Sequence, residues 1–173
     1  MSDFKIDEVA DIIRDAGGRV VGRTRLQKIA YLLTATGLDE NFRFSYKHYG
    51  PFSEQLASSA RFGTLFGNFS ERQDQTAWGG TYSTYTLDNA QATDRLSPRH
   101  RLASASADAD SIELELAATA VFLHYEGYDD AWEETAQRKP EKSSPQRLDN
   151  AKALLARLAA IDVPRPLPAK LCR

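Results

Sequence analysis

Cysteine is almost missing from this 173-residue sequence; only Cys172, beside the C-terminus, is present. One thiol forms no intramolecular disulfide, so Cys172 reads as a free thiol in a reducing cytosol. No apolar run approaches the roughly 20 residues that a membrane-spanning helix needs. Met1 to Glu8 is acidic and polar, without the basic and apolar regions of a secretion signal. A cytoplasmic protein without a membrane partner is expected. Histidine is also scarce. His48, His100 and His124 are scattered and lack metal-ligand spacing such as HExxH. His124, Glu126, Asp129 and Asp130 are close in sequence, but they read as surface charge around a helix break. Walker A loop, dinucleotide fingerprint and nucleophile elbow are all missing, and Gly17-Gly18 and Gly79-Gly80 read as turn glycines. The expectation is a non-enzymatic protein with no catalytic residue, no cofactor and no metal.

A surplus of positive charge is missing too. The formal net charge is -2, which argues against a chain coated in cations for nucleic acid. Residues 1–67 carry 9 basic against 8 acidic side chains, and the remainder 13 against 16. The N-terminal half is therefore the side better suited to a polyanion, by a small margin.

What is present is ordinary globular composition, 42% hydrophobic and 27% charged. Residues 4–16 carry Phe4, Val9, Ile12 and Ile13 at helical spacing, and Gly17-Gly18 stops them. Residues 24–36 form a second helical stripe of Leu26, Ile29, Ala30, Tyr31 and Leu33, with Thr24 as the expected cap and Gly37 as the stop. The period then drops to two, and Phe42, Phe44 and Tyr46 predict a half-buried strand. Tyr49-Gly50-Pro51-Phe52 reads as a turn, and Ser53 as the cap of a third helix to about Phe66. Residues 67–80 read as a loop, Thr81 to Leu87 as a strand with a hairpin partner near Thr76–Trp78. Residues 88–108 read as a connection with a short ordered piece at Leu96–Leu102. An apolar helix from Asp110 to about Gly127 follows. Next come a shorter helix opened by Asp129 and containing Trp132, a break at Lys139-Pro140, and a last helix started by Ser144-Pro145. Three prolines make Val163 to Pro168 extended.

The order predicts a mostly α, α+β fold. Residues 1–90 form a winged-helix-like subdomain with a small β-hairpin. Residues 91–108 connect it to a C-terminal helical bundle at 109–162, with a Pro-rich tail at 163–173, the whole forming one unit. The tail reads as a frayed terminus ahead of a docking segment.

Two segments carry a resemblance: Gly22-Arg23-Thr24-Arg25-Leu26-Gln27-Lys28-Ile29-Ala30-Tyr31-Leu32-Leu33, and Phe44-Ser45-Tyr46-Lys47-His48-Tyr49-Gly50-Pro51-Phe52-Ser53. Together with Tyr125-Glu126-Gly127, Trp132 and Arg138-Lys139-Pro140-Glu141-Lys142, they resemble the YwgA-like family of prokaryotic proteins across most of residues 4–160. A more distant similarity, through the L-Q-K-x-x-Y helix and the Y-G-P turn, is to the Panacea domain of antitoxins and of the SocA proteolytic adaptor. The closer resemblance implies fold more than activity. The distant one implies toxin neutralisation or presentation of a toxin to a protease. Neither carries over a catalytic residue.

The candidate partner-binding residues are Gln27 on the second helix and His48, Tyr49, Ser53, Gln55, Ser58, Ser59 and Arg61 on the third helix and the turn before it. Tyr46 and Tyr49 are expected in the core. Gln27 is expected to be buried against the turn, whose backbone groups need partners. Arg23, Arg25 and Lys28 form the best basic cluster, able to touch DNA phosphates. Cations at a helix start oppose its macrodipole, so they are alternatively expected to pair with Asp7, Asp11 or Asp15. The expected function is a protein-binding regulatory module resembling an antitoxin or adaptor, with a toxin or regulatory target as partner. The alternatives are a winged-helix DNA-binding regulator and a structural subunit of a defence or nucleic-acid-processing system. Oligomeric state is left open, a dimer included.

Overall fold

Helix α1 (Ile6–Asp15) turns Val9, Ile12 and Ile13 wholly inward. It stops where Gly17 takes φ 107°, a left-handed value that costs glycine little. The computed structural model describes residues 4–88 and 94–173. A short strand β1 (Arg19–Val21) follows, then helix α2 (Arg23–Ala35). Thr24 is not the cap of α2. Gly22 occupies that position with φ 104°, and no side chain caps the helix. Helix α2 is buried nearly all round, Gln27, Lys28 and Leu32 as well as the expected apolar stripe. A helix covered on all sides is a core helix, and α2 packs against α4, α5 and β3 together.

The strand expected at Phe42–Tyr46 is shorter and later. Phe42 is buried, but the ladder is β2 (Ser45–Lys47) paired antiparallel with β3 (Gly50–Phe52), Tyr46 opposite Pro51. Most of the segment read as a turn is therefore itself a strand, and the turn is His48-Tyr49. Ser53 caps helix α3 (Glu54–Leu65), its hydroxyl accepting from the Leu56 amide. Residues 67–80 are not a loop. Ser70–Gln75 is strand β4, paired with β5 (Thr81–Thr86), while Thr76–Trp78, expected as the partner strand, lies in the hairpin tip. Sheet order is β1-β5-β4, all antiparallel. With α1, α2 and α3 this is a winged-helix arrangement, interrupted between α2 and α3 by the β2–β3 hairpin.

The connection at 88–108 holds a full helix, α4 (Pro98–Asp108), capped by Ser97. Its only fully buried side chains are Leu102, Ala103 and Ser106, too few for a periodic signal. Residues 89–93 of that connection lie outside the described residues. Helices α5 (Ser111–Tyr125), α6 (Ala131–Arg138) and α7 (Pro145–Ala159) form the C-terminal bundle, α5 packing on both α6 and α7. Asp130, not Asp129, caps α6, and Ser144 caps α7 with Pro145 in its first turn. No described helix is long and apolar enough to cross a membrane.

The tail is not frayed. Leu167 and Leu171 are buried, a 3-10 turn (Ala169–Cys172) packs on α7, and the Trp132 indole donates to the Leu171 carbonyl at 3.0 Å. Leu171→Ala is expected to lower unfolding stability by about 2–5 kcal/mol, the usual cost of truncating a buried leucine. Urea denaturation checks this; an unchanged midpoint would mean that the tail contributes nothing to the core.

Candidate functional site

Backbone that leaves a strand and has not yet entered a helix needs hydrogen-bond partners. The end of β3 and Ser53, which leads into α3, need such partners, and α2 supplies them. The Gln27 amide donates to the Ser53 carbonyl at 3.0 Å and accepts from the Ser53 amide at 2.8 Å. The Lys28 ammonium donates to the Pro51 carbonyl at 2.8 Å. Gln27 thus bonds just past β3, and Lys28 bonds within it. Gly50, with φ 96°, lets the turn press on α5. A Cβ there would sit about 2.4 Å from the Thr119 hydroxyl.

Lys28 is only 1% exposed, so it is no phosphate contact. Around it lie Glu115 of α5 and Lys139 and Lys142 after α6. Glu115 pairs with Lys142 at 2.8 Å and with Lys139 at 3.4 Å. Burial pushes the Lys28 amine down to about 7; Glu115 pulls it back, while Lys139 and Lys142 press it lower. Burial lowers Lys139 as well. The Lys142 ammonium also lies over the Tyr49 ring at 4.9 Å, and Arg138 stacks on Tyr46 at 4.6 Å. Tyr46 is half-buried, but Tyr49 is 54% exposed rather than in the core, and His48 is exposed beside it.

The other cations of the basic cluster are engaged too. Arg25 donates to the carbonyls of Val21, Ala107 and Ala109, tying α2 to the end of α4. Arg23 pairs with Glu71 of β4 at 2.7 Å. The expected partners are taken elsewhere: Asp11 holds Arg14, and Asp15 holds Arg99. Ser53 and Ser59 are fully buried, Ser59 accepting from the Lys5 amide, and so present no surface to a partner.

Four expected residues do meet. Arg23, Gln27, Ser58 and Arg61 line a cleft of about 410 Å³ between α2, α3 and the β4–β5 wing. Leu26, Phe52, Ala57, Ala60 and Tyr85 give it an apolar lining, and Glu54 and Glu71 bring carboxylates to it. Gln55 lies apart, in a shallower groove with Lys5 and Arg43. Among the described residues, no three or more histidine, cysteine or acidic side chains gather into a possible metal site.

The chain matches no protein family, no curated protein and no solved structure. Sequence reading missed Glu115, Glu71 and Tyr85. Glu115 left one clue: a carboxylate between Leu114 and Leu116, in a helix otherwise apolar over most of its length.

The low value for Lys28 has a pH consequence. Unfolded, the amine keeps its proton to its ordinary value of 10.5; folded, it does so only to about 7. Between those limits the unfolded chain binds the extra proton, so the fold gains stability as pH rises, by at most about 1.4 kcal/mol per pH unit for one proton. Below about 7 both states are protonated and this slope vanishes. Lys28→Met keeps most of the volume and is expected to flatten the rise, compared by urea midpoints at about pH 7 and about pH 9. An equal slope in the variant would assign the proton elsewhere.

Proposed function

We propose that this protein is a non-enzymatic, protein-binding regulatory module acting in the cytoplasm, comparable to the antitoxins and adaptors whose motifs its sequence resembles. The observation that carries this is the cleft between α2, α3 and the wing. Its lining is apolar, and at its edges Arg23 and Arg61 are balanced by Glu54 and Glu71. An apolar recess with a few polar groups suits an inserted side chain better than a phosphate backbone. At the end of α3, Leu65 and Phe66 are exposed large apolar side chains, the kind of surface that marks a contact site when it clusters.

The DNA-binding alternative draws on the same helix, where Arg61 is exposed, but the three cations expected to touch phosphate are engaged elsewhere. Lys28 is buried, Arg25 points into the fold and Arg23 is held by Glu71. At the start of α3, Glu54 engages Lys47 at 2.9 Å. A polyanion would have to displace these carboxylates before any counterion-release gain.

Ser58→Trp fills the cleft from a half-buried helix position. A protein captured stoichiometrically from the native host despite nuclease is expected to be lost by at least about tenfold with this variant, as for a blocked interface anchor. Circular dichroism and the melting temperature should stay unchanged. Recovery of discrete DNA that falls away with salt, and disappears in the Arg23→Ala/Arg61→Ala double variant, would replace the proposal with the regulator reading.

A further inference from the structure

Strand β4 is an open edge. The sheet order β1-β5-β4 leaves its six residues, Ser70–Gln75, paired on one side. Hydrogen-bond parity tells which groups face outward. The Thr76 amide donates to the Gly80 carbonyl at 2.7 Å, and the same register runs from Gln75 opposite Thr81 to Ser70 opposite Thr86. Antiparallel pairs alternate between bonded and non-bonded. Asp74, Arg72 and Ser70 therefore bond to β5, while Glu71, Gln73 and Gln75 turn their N–H and C=O groups away from it. The other side of β5 agrees. Gly22 donates to Ser83 at 2.6 Å and Leu87 to Gly18 at 2.9 Å, which commits residues 83, 85 and 87 to β1. Among the described residues, no hydrogen bond reaches the outward backbone groups of β4.

Natural edges are blunted by charged side chains, lysine above all, by proline, by a bulge or by a covering segment. β4 has no proline and no lysine, and its register with β5 runs without a bulge. Its charges offer a different specification. We propose that β4 is a dimerisation edge: two copies of the chain join antiparallel along it, about a two-fold axis at Gln73, to form one continuous sheet.

The register follows from parity and charge. A two-fold antiparallel pairing must match outward residues with outward residues, so the axis passes through a residue and not between two. An axis at Glu71, Arg72 or Asp74 sets that charge against its own copy. An axis at Ser70 or Gln75 leaves most of the strand unpaired. At Gln73 the strand overlaps almost fully. Gln73 exchanges both backbone bonds with its counterpart, and Glu71 exchanges both with the second copy's Gln75. Arg72 then stands opposite the second copy's Asp74, and Asp74 opposite its Arg72. Within one chain these two side chains already share the same strand face, 3.0 Å apart, with Arg72 81% exposed. Dimerisation closes them into an alternating group of four charges. The contact is isologous, as a two-fold requires.

Sedimentation equilibrium on the full chain tests this. The wild type should show a concentration-dependent dimer. Arg72→Asp and Asp74→Arg each set like charges across both cross-strand pairs and should weaken association by at least about tenfold. The Arg72→Asp/Asp74→Arg double variant exchanges the charges and should restore it. Gln73→Pro removes an outward N–H that the chain itself does not use, a setting in which an edge strand tolerates proline, and should give a monomer with an unchanged circular dichroism spectrum. A wild type that stays monomeric up to hundreds of micromolar overturns the proposal. So does a dimer indifferent to the single reversals, or one that the double exchange fails to restore.

Discussion

Gln27 and Lys28 project from the middle of a helix whose other buried side chains are nearly all apolar, and both end on backbone carbonyls of the segment that leads into α3. The rest of the N-terminal half depends on those bonds. They hold Ser53 where its hydroxyl caps α3, and they hold Gly50 against Thr119 of α5. Breaking one would leave a buried amide, ammonium or carbonyl without a partner, at a cost of roughly 1–3 kcal/mol or more for the charged group. A buried lysine is an expensive way to fasten a turn, since an apolar residue would avoid the desolvation of its charge. Its return is position: a single atom reaches across from α2, and Glu115, Lys139 and Lys142 surround it with balancing and opposing charge.

The same logic governs most of the cations in this region. Arg25 gathers carbonyls at the junction of α4 and α5. Arg99 on α4 binds Asp15 at 2.6 Å, Asp39 at 3.3 Å and the Leu38 carbonyl at 2.9 Å, joining α4 to the ends of α1 and α2. Guanidinium groups suit this work, because their several donors reach more than one acceptor in a fixed geometry. Much of the positive charge in the N-terminal half is thus spent on joining elements. What it leaves at the α3 cleft is a balanced, partly apolar surface.

Much of the local structure was legible because its causes are local. Gly17 and Gly37 end helices by taking left-handed φ, Ser53 and Ser144 cap them, and Pro145 fits a first turn. Strand β4 was hidden because Ser-Glu-Arg-Gln-Asp-Gln carries no apolar alternation; only the ladder to β5 makes it a strand. Helix α4 was hidden because few of its side chains enter the core. Tyr49 was misjudged because aromatic character does not say whether a ring covers a core or lies over Lys142 at the surface.

The sequence by itself determined the order of the main helices, most of their boundaries and the mostly α, α+β class, since periodicity and turn chemistry act within a few residues along the chain. It also linked the L-Q-K helix to the Y-G-P turn, but not by which atoms. Tertiary structure alone decided that Lys28 is buried and that Arg23 faces Glu71 across 48 positions. It decided too that Arg23, Ser58 and Arg61 share one cleft and that the tail packs home. Burial and charge pairing are properties of what surrounds a residue, and for these residues the surroundings come from distant parts of the chain.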